Sequence, residues 1–169
     1  MAKRSTHLLN ALDLLTEQHD EIDALFAQLE TDGDGRQAAF IELADKLAAH
    51  ATIEEKLFYP RVVSGETSEL LHQFVEEHLA MKRVLADLVT MDLDTEQFQA
   101  KLAVLKEEVS LHAHDHEEAK LFPILRTSMD PDELAGLGNE LLVMFEQLLA
   151  SQPRLEVPNE TTRAAPLPA

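Results

Sequence analysis

The chain has 169 residues, 45% of them hydrophobic, which is enough for a single domain with a real apolar core. Fourteen Lys and Arg stand against 32 Asp and Glu, and the resulting formal charge of −18 repels DNA, RNA and anionic lipid, so no nucleic-acid and no membrane partner is expected. There is no cysteine, which removes disulfides, thiolate metal sites and cysteine nucleophiles and fits a reducing, cytoplasmic setting.

The N-terminal stretch MAKRSTHLLNALDLLTEQHD begins with basic residues, but Asp13, Glu17 and Asp20 break any apolar signal core. A first helix is expected over about 6–30, closed by TDGDG at 31–35. The second runs over about 36–61, and SGETS at 64–68 separates it from a third at about 67–90. The stretch MDLDT at 91–95 then leads into a fourth at about 95–128, with Asp94 and Gln97 placed as a capping pair. No Gly or Pro interrupts the chain between Glu66 and Phe122, as long helices require. DPDE at 130–133 offers Asp130 as N-cap and Pro131 as first helical residue of a fifth helix reaching about 151. The fold class is therefore all-α, with residues 1–152 as the bundle and the Pro-rich 153–169 expected to be disordered.

Helical spacing marks the inward faces, and each of the four long helices carries a histidine in its apolar seam. Leu8, Leu12, Leu15, Ile22, Phe26 and Leu29 leave one missing step, filled by His19. Phe40, Leu43 and Leu47 lead to His50, with Glu54 on the same face before Leu57 and Phe58. Leu71, Phe74, Leu85 and Leu88 surround His78. One seam histidine is ordinarily a hydrogen-bonded core residue. Four, with carboxylates, are costly to bury, because each unpaired buried polar group costs about 1–3 kcal/mol. A pair of metal ions satisfies them together, and inward carboxylates and histidines are how bundle cores build such sites. The chain also repeats itself: EQHDEIDALFAQLE (17–30) lies over EEHLAMKRVLADLV (76–89), and HATIEEKLFYP (50–60) over HAHDHEEAKLFP (112–123).

The order His19, HATIEEKLFYP, EEH at 76–78 and HAHDHEEAKLFP resembles the hemerythrin-like, or HHE cation-binding, proteins over roughly residues 8–128. That resemblance implies an up-down-up-down four-helix bundle with the fifth helix added. It also implies a non-haem di-iron centre, oxo- or hydroxo-bridged, with histidines as terminal ligands and two carboxylates bridging. Oxygen-carrying members of the family offer two histidines four apart on the third helix, whereas Phe74 stands four before His78 here. An open or water-filled metal position is therefore expected.

The stretch 111–123 holds three histidines, and they cannot all face one way, since a helix turns about 100° per residue. Leu102, Leu105 and Val109 match Phe40, Leu43 and Leu47, which makes His112 the partner of His50. The prolines make Glu117 the partner of Glu54, six before Pro123 as Glu54 is six before Pro60. His112 and Glu117 are five apart, so a π-bulge must absorb one residue. Two regularly spaced registers stay open, His114 with Glu118 and His112 with His116. His7 and His72 lie off the seams. The expected ligands are thus His19, His50, Glu54, His78, His112 and Glu117. An all-N/O set suits Fe, with Mn or Zn as alternatives. The implied function is binding or turnover of O2, peroxide or NO, including catalase-like peroxide consumption; the alternative is an iron- or redox-responsive sensing or storage module without turnover. The fifth helix, with Leu134, Leu137, Leu141, Phe145 and Leu148, either covers a monomeric bundle or forms a homodimer interface.

Overall fold

Asn10 adopts extended backbone and accepts a hydrogen bond from the Asp13 amide, and this cap starts α1 (Ala11–Leu29). In this computed structural model, which describes residues 9–31 and 33–169, four rods and a fifth helix follow the expected order. Leu8 and His7 lie outside the described residues. The second rod is continuous: α2 (Arg36–Ile53) passes through a π-helical stretch, π1 (Glu54–Phe58), into α3 (Tyr59–Val62). The third is α4 (Ser68–Leu88). In the fourth, α5 (Glu96–Ser110) runs through a second π-helical stretch, π2 (Leu111–Leu121), into α6 (Phe122–Ser128). The cap of α5 is Thr95, whose hydroxyl accepts from Phe98 N, and not Asp94. Asp130 caps α7 (Pro131–Ala150) as its sequence requires. The fold is all-helical among the described residues, four rods in a bundle with an added fifth helix, as the sequence led one to expect.

The hydrophobic core comes in two pieces. Leu12, Leu15, Ile53, Phe58, Phe74, Leu121 and Phe122 form one with α7, and Ile22, Phe26, Phe40, Leu43, Leu85, Phe98 and Leu105 form the other. Between them lies a layer of buried polar side chains. The apolar set of α7 (Leu134, Leu137, Leu141, Phe145) is buried on α1 and α2, where full burial of each leucine stabilises by roughly 1.5–3 kcal/mol. The face expected either to cover the bundle or to pair copies therefore covers it, and leaves Leu142 and Val143 exposed. Gly138 allows this close approach, because a Cβ there would stand 2.4 Å from Leu9 O and 2.8 Å from Ala11 N.

The tail corrects the expectation of disorder. After Gln152, which takes left-handed backbone (φ 56°), two 3₁₀ turns (Pro153–Leu155 and Val157–Glu160) lie along α2 and α4. Val157 is buried in the core, Arg154 Nη1 meets Asp45 Oδ2 at 2.7 Å, and Lys82 Nζ meets Glu160 Oε2 at 2.9 Å. Composition misled here: a proline-rich segment needs no helical period to dock when one apolar side chain and a few ion pairs anchor it. Among the described residues, no helix is long and apolar enough to cross a membrane.

Candidate metal centre

The polar layer contains the six residues that the seams pointed to, with Gln18 and the Tyr59 hydroxyl among them. His19, His50, Glu54, His78, His112 and Glu117 are all buried, and both glutamates are completely so. They form two groups that share Glu54: His19, His50, Glu54 and Glu117, and Glu54, His78 and His112. Within each group the donor atoms lie within 4.8 Å of one another. Glu54 presents Oε1 to His50 Nε2 at 3.2 Å and Oε2 to His78 Nε2 at 3.2 Å, one oxygen to each group. Glu117 Oε2 lies 3.3 Å from His19 Nε2 and 3.7 Å from His112 Nε2.

Two π-helical stretches create this convergence. In π2 the five-residue step from His112 to Glu117 becomes one turn, so both point inward. His114 is turned out to Asp23 Oδ2 (2.8 Å) and His116 to Glu77 Oε1 (2.7 Å), which places neither alternative register at the centre. His72 is exposed, and its ring bonds Ser68 O. In π1 the same geometry acts after the His50–Glu54 pair and stacks Tyr59 over Glu54, turning Leu57 partly aside.

Tyr59 is the residue that the seams did not reveal. Its hydroxyl is wholly buried, donates to Glu117 Oε1 at 2.7 Å and lies 3.3–3.4 Å from Glu54 Oε2, His78 Nε2 and His112 Nε2. It therefore fills the neighbourhood of His78 and His112 that Phe74, fully buried beside His112, cannot serve. The signal was available: this is the chain's one tyrosine, five residues after Glu54.

Each inward imidazole is held from behind. His19 Nδ1 pairs with Glu118 Oε1 (2.6 Å), His50 Nδ1 with Gln18 Oε1 (2.7 Å), His78 Nδ1 with Glu55 Oε1 (3.0 Å) and His112 Nδ1 with Glu77 Oε2 (2.7 Å). Tying Nδ1 to an oxygen aims Nε2 at the centre and raises its basicity, the usual support of a metal-bound histidine. Two of the opposite ends, and one oxygen of each glutamate, are orphaned, while His78 Nε2 and His112 Nε2 lie 2.9 Å apart. His19 Nε2, His50 Nε2, Glu54 Oε1 and Glu117 Oε2 are buried without a hydrogen-bond partner, although they face one another at 3.2–3.3 Å. Four such atoms in one spot are what a cation would satisfy.

The charges agree with this. Burial alone would lower the pKa of His19, but the nearby Glu117 and Glu54 carboxylates and its bond to Glu118 raise it to about 10. His78 is likewise raised to about 10, burial being outweighed by Glu54 and Glu55. Glu54, despite the opposing effect of burial, is held well below the usual carboxylate range by His50 and His78. Burial and the neighbouring Glu117 and Glu54 push Tyr59 well above the ordinary phenol value. The raised His19 and His78 thus hold positive charge beside the lowered Glu54, at the place a bound cation would take.

Known proteins resemble this chain in sequence and in fold. A family model described as the hemerythrin HHE cation-binding domain matches residues 10–125. An HHE cation-binding domain-containing protein from Mycobacterium kansasii has a similar crystal structure, with a TM-score of 0.77 and 24% identity over 90% of this chain and 99% of that one. A protein of Nostoc sp. (strain PCC 7120) described as a DNA nickase is 29% identical over 138 residues, 78% of this chain, and this chain spans only 38% of its length. The chain belongs to the hemerythrin HHE cation-binding family.

Proposed function

We propose that this chain is a non-haem dinuclear metal protein, with iron as its metal, that binds or reacts with a small oxidant: O2, peroxide or NO. The observation that carries the reading is the set of four imidazoles tied back at Nδ1, with Nε2 converging on two carboxylates that each keep one oxygen without a partner. His19, His50, Glu54 and Glu117 would hold one ion, and Glu54, His78 and His112 the other, with the Tyr59 hydroxyl beside it. Bound there, a metal pair supplies redox chemistry toward a small oxidant. The residues themselves exclude water with two apolar clusters, and Tyr59 holds a proton against Glu117 Oε1. An all-N/O donor set also accepts Mn or Zn, so metal identity is part of the test.

Elemental analysis of the isolated protein, with a near-ultraviolet spectrum before and after peroxide, decides the reading. The expected result is about two irons per chain and oxygen-to-ferric charge-transfer bands that change with peroxide. A metal-free protein that takes up no iron in vitro overturns it. If iron is bound and peroxide or NO is not consumed, the protein is the sensing or storage form of the same centre. The nickase activity named for the Nostoc relative is not carried over, because a chain with a charge of −18 opposes phosphate contact. Supercoiled plasmid incubated with the metal-loaded protein should remain supercoiled.

A further inference from the structure

Beside the four imidazoles lies an apolar cavity of about 40 Å³, and its walls include Ile22, Met81, Leu85, Leu105, Val109 and Val157. All of its lining residues but one belong to α1, α2, α4, α5 or π2. The exception is Val157, which arrives from the C-terminal strap and is almost completely buried. The strap bridges two rods: its first turn lies on α2 and its second on α4. Three polar ties hold it there, Arg154 to Asp45, Lys82 to Glu160 at 2.9 Å, and Arg83 Nε to Thr161 O at 3.0 Å. The chain turns into it through Gln152, a non-glycine residue in left-handed backbone.

We propose that Val157 is the specificity-determining residue of this protein, capping the cavity so that it admits a neutral diatomic molecule, O2 or NO, when the strap lifts. The proposal rests on the metal-centre reading for its purpose, but not for its geometry. A cavity of this size and lining suits a small apolar gas. A charged or strongly hydrated oxidant would surrender most of its water to walls that are mainly apolar and whose polar members are Lys82 and the four imidazoles. The bundle walls are fixed by packing along whole helices, whereas the strap is held by two short turns, the single buried side chain of Val157 and a few partly buried polar ties. It is the side of the cavity that can open at least cost.

Xenon reports on the cavity without any metal. Full-length protein, as isolated and after chelation, is examined by 129Xe exchange NMR and by crystallography under xenon pressure. Wild type should hold one xenon against Val157. Val157→Trp should abolish it. Arg154→Ala removes one charge-assisted tie while leaving the cavity wall intact, and should speed xenon exchange by about tenfold. Should Val157→Trp displace the strap, Ala48→Leu fills the same cavity from α2, and xenon should again be lost. In iron-loaded protein the NO association rate should follow the same order, fastest in Arg154→Ala and slowest in Val157→Trp. Absence of xenon from the wild-type cavity, or exchange and NO rates unaffected by all three substitutions, overturns the proposal. If xenon follows Val157 and no iron is ever bound, the metal-centre reading fails and the gate stands.

Discussion

Tyr59 and Phe122 occupy the same place in the two halves of the repeat, each just before the proline that ends its motif. They make the halves unequal. Phe122 lies parallel to His19 and offers no polar atom, whereas Tyr59 puts a hydroxyl among His78, His112 and both glutamates. Tyr59→Phe should therefore weaken metal binding by about 10- to 100-fold, the range seen when a supporting hydrogen bond is lost, because the hydroxyl holds Glu117 of one group and stands beside His78 and His112 of the other. Metal titration of the variant checks this, and an unchanged affinity would contradict it. His112→Ala and Glu117→Ala should each lower bound metal. His114→Ala, whose ring bonds Asp23 and Glu118 at the bundle surface, should leave the content nearly intact. The six inward residues were legible because a helical seam reports which side chains share depth. Tyr59 was not, because a seam extrapolated at regular pitch past Glu54 arrives at Leu57 and Phe58.

Across elements, the two π-helical stretches are what turn a near-repeat in sequence into a near-twofold site. The five-residue spacing in the second motif announced π2, since two inward ligands five apart have no place on one regular turn. Nothing of that kind marked π1, because His50 and Glu54 are spaced four apart and the π turn begins at Glu54 itself. Deleting the exposed Asp115 should let a regular helix carry His112 and Glu117 four apart. Helicity by circular dichroism and metal stoichiometry should both survive. Loss of metal from a folded deletion variant would show that the widened turn is itself required at the site. The strap was illegible for a different reason: its docking depends on Asp45, Lys82 and Arg83 meeting it in space, and no local pattern encodes such distant partners.

For the whole molecule, the buried charges couple folding, metal and pH. In metal-free protein His19 and His78 have pKa values raised to about 10 from the ordinary 6.5. The stability they contribute is complete below pH 6.5 and is lost as pH rises toward 10. The lowered Glu54 works in the other direction, its contribution being present above its ordinary range near 4.5 and lost in acid. The melting temperature of chelated protein should therefore fall between pH 7 and pH 10, by roughly 2–4 °C for each kcal/mol lost. Metal affinity should rise over the same interval, because each imidazolium must release its proton to become a ligand. Calorimetric titration in buffers of different ionisation enthalpy counts those protons, and a pH-independent affinity would contradict the assignment of His19 and His78 as ligands.

The polar layer that divides the core has a further consequence, for how the molecule breathes. The two apolar clusters touch few of the same side chains, so what joins them is the six-residue layer and the continuity of the rods through it. A cation pair at that layer would act as a keystone, and without it the two ends of the bundle are separate cooperative units. Amide hydrogen exchange should show this directly. In chelated protein, the amides around Phe40 and Phe98 should exchange with a different opening free energy from those around Phe58 and Phe122, and loading the metal should bring the two sets to a common, slower rate.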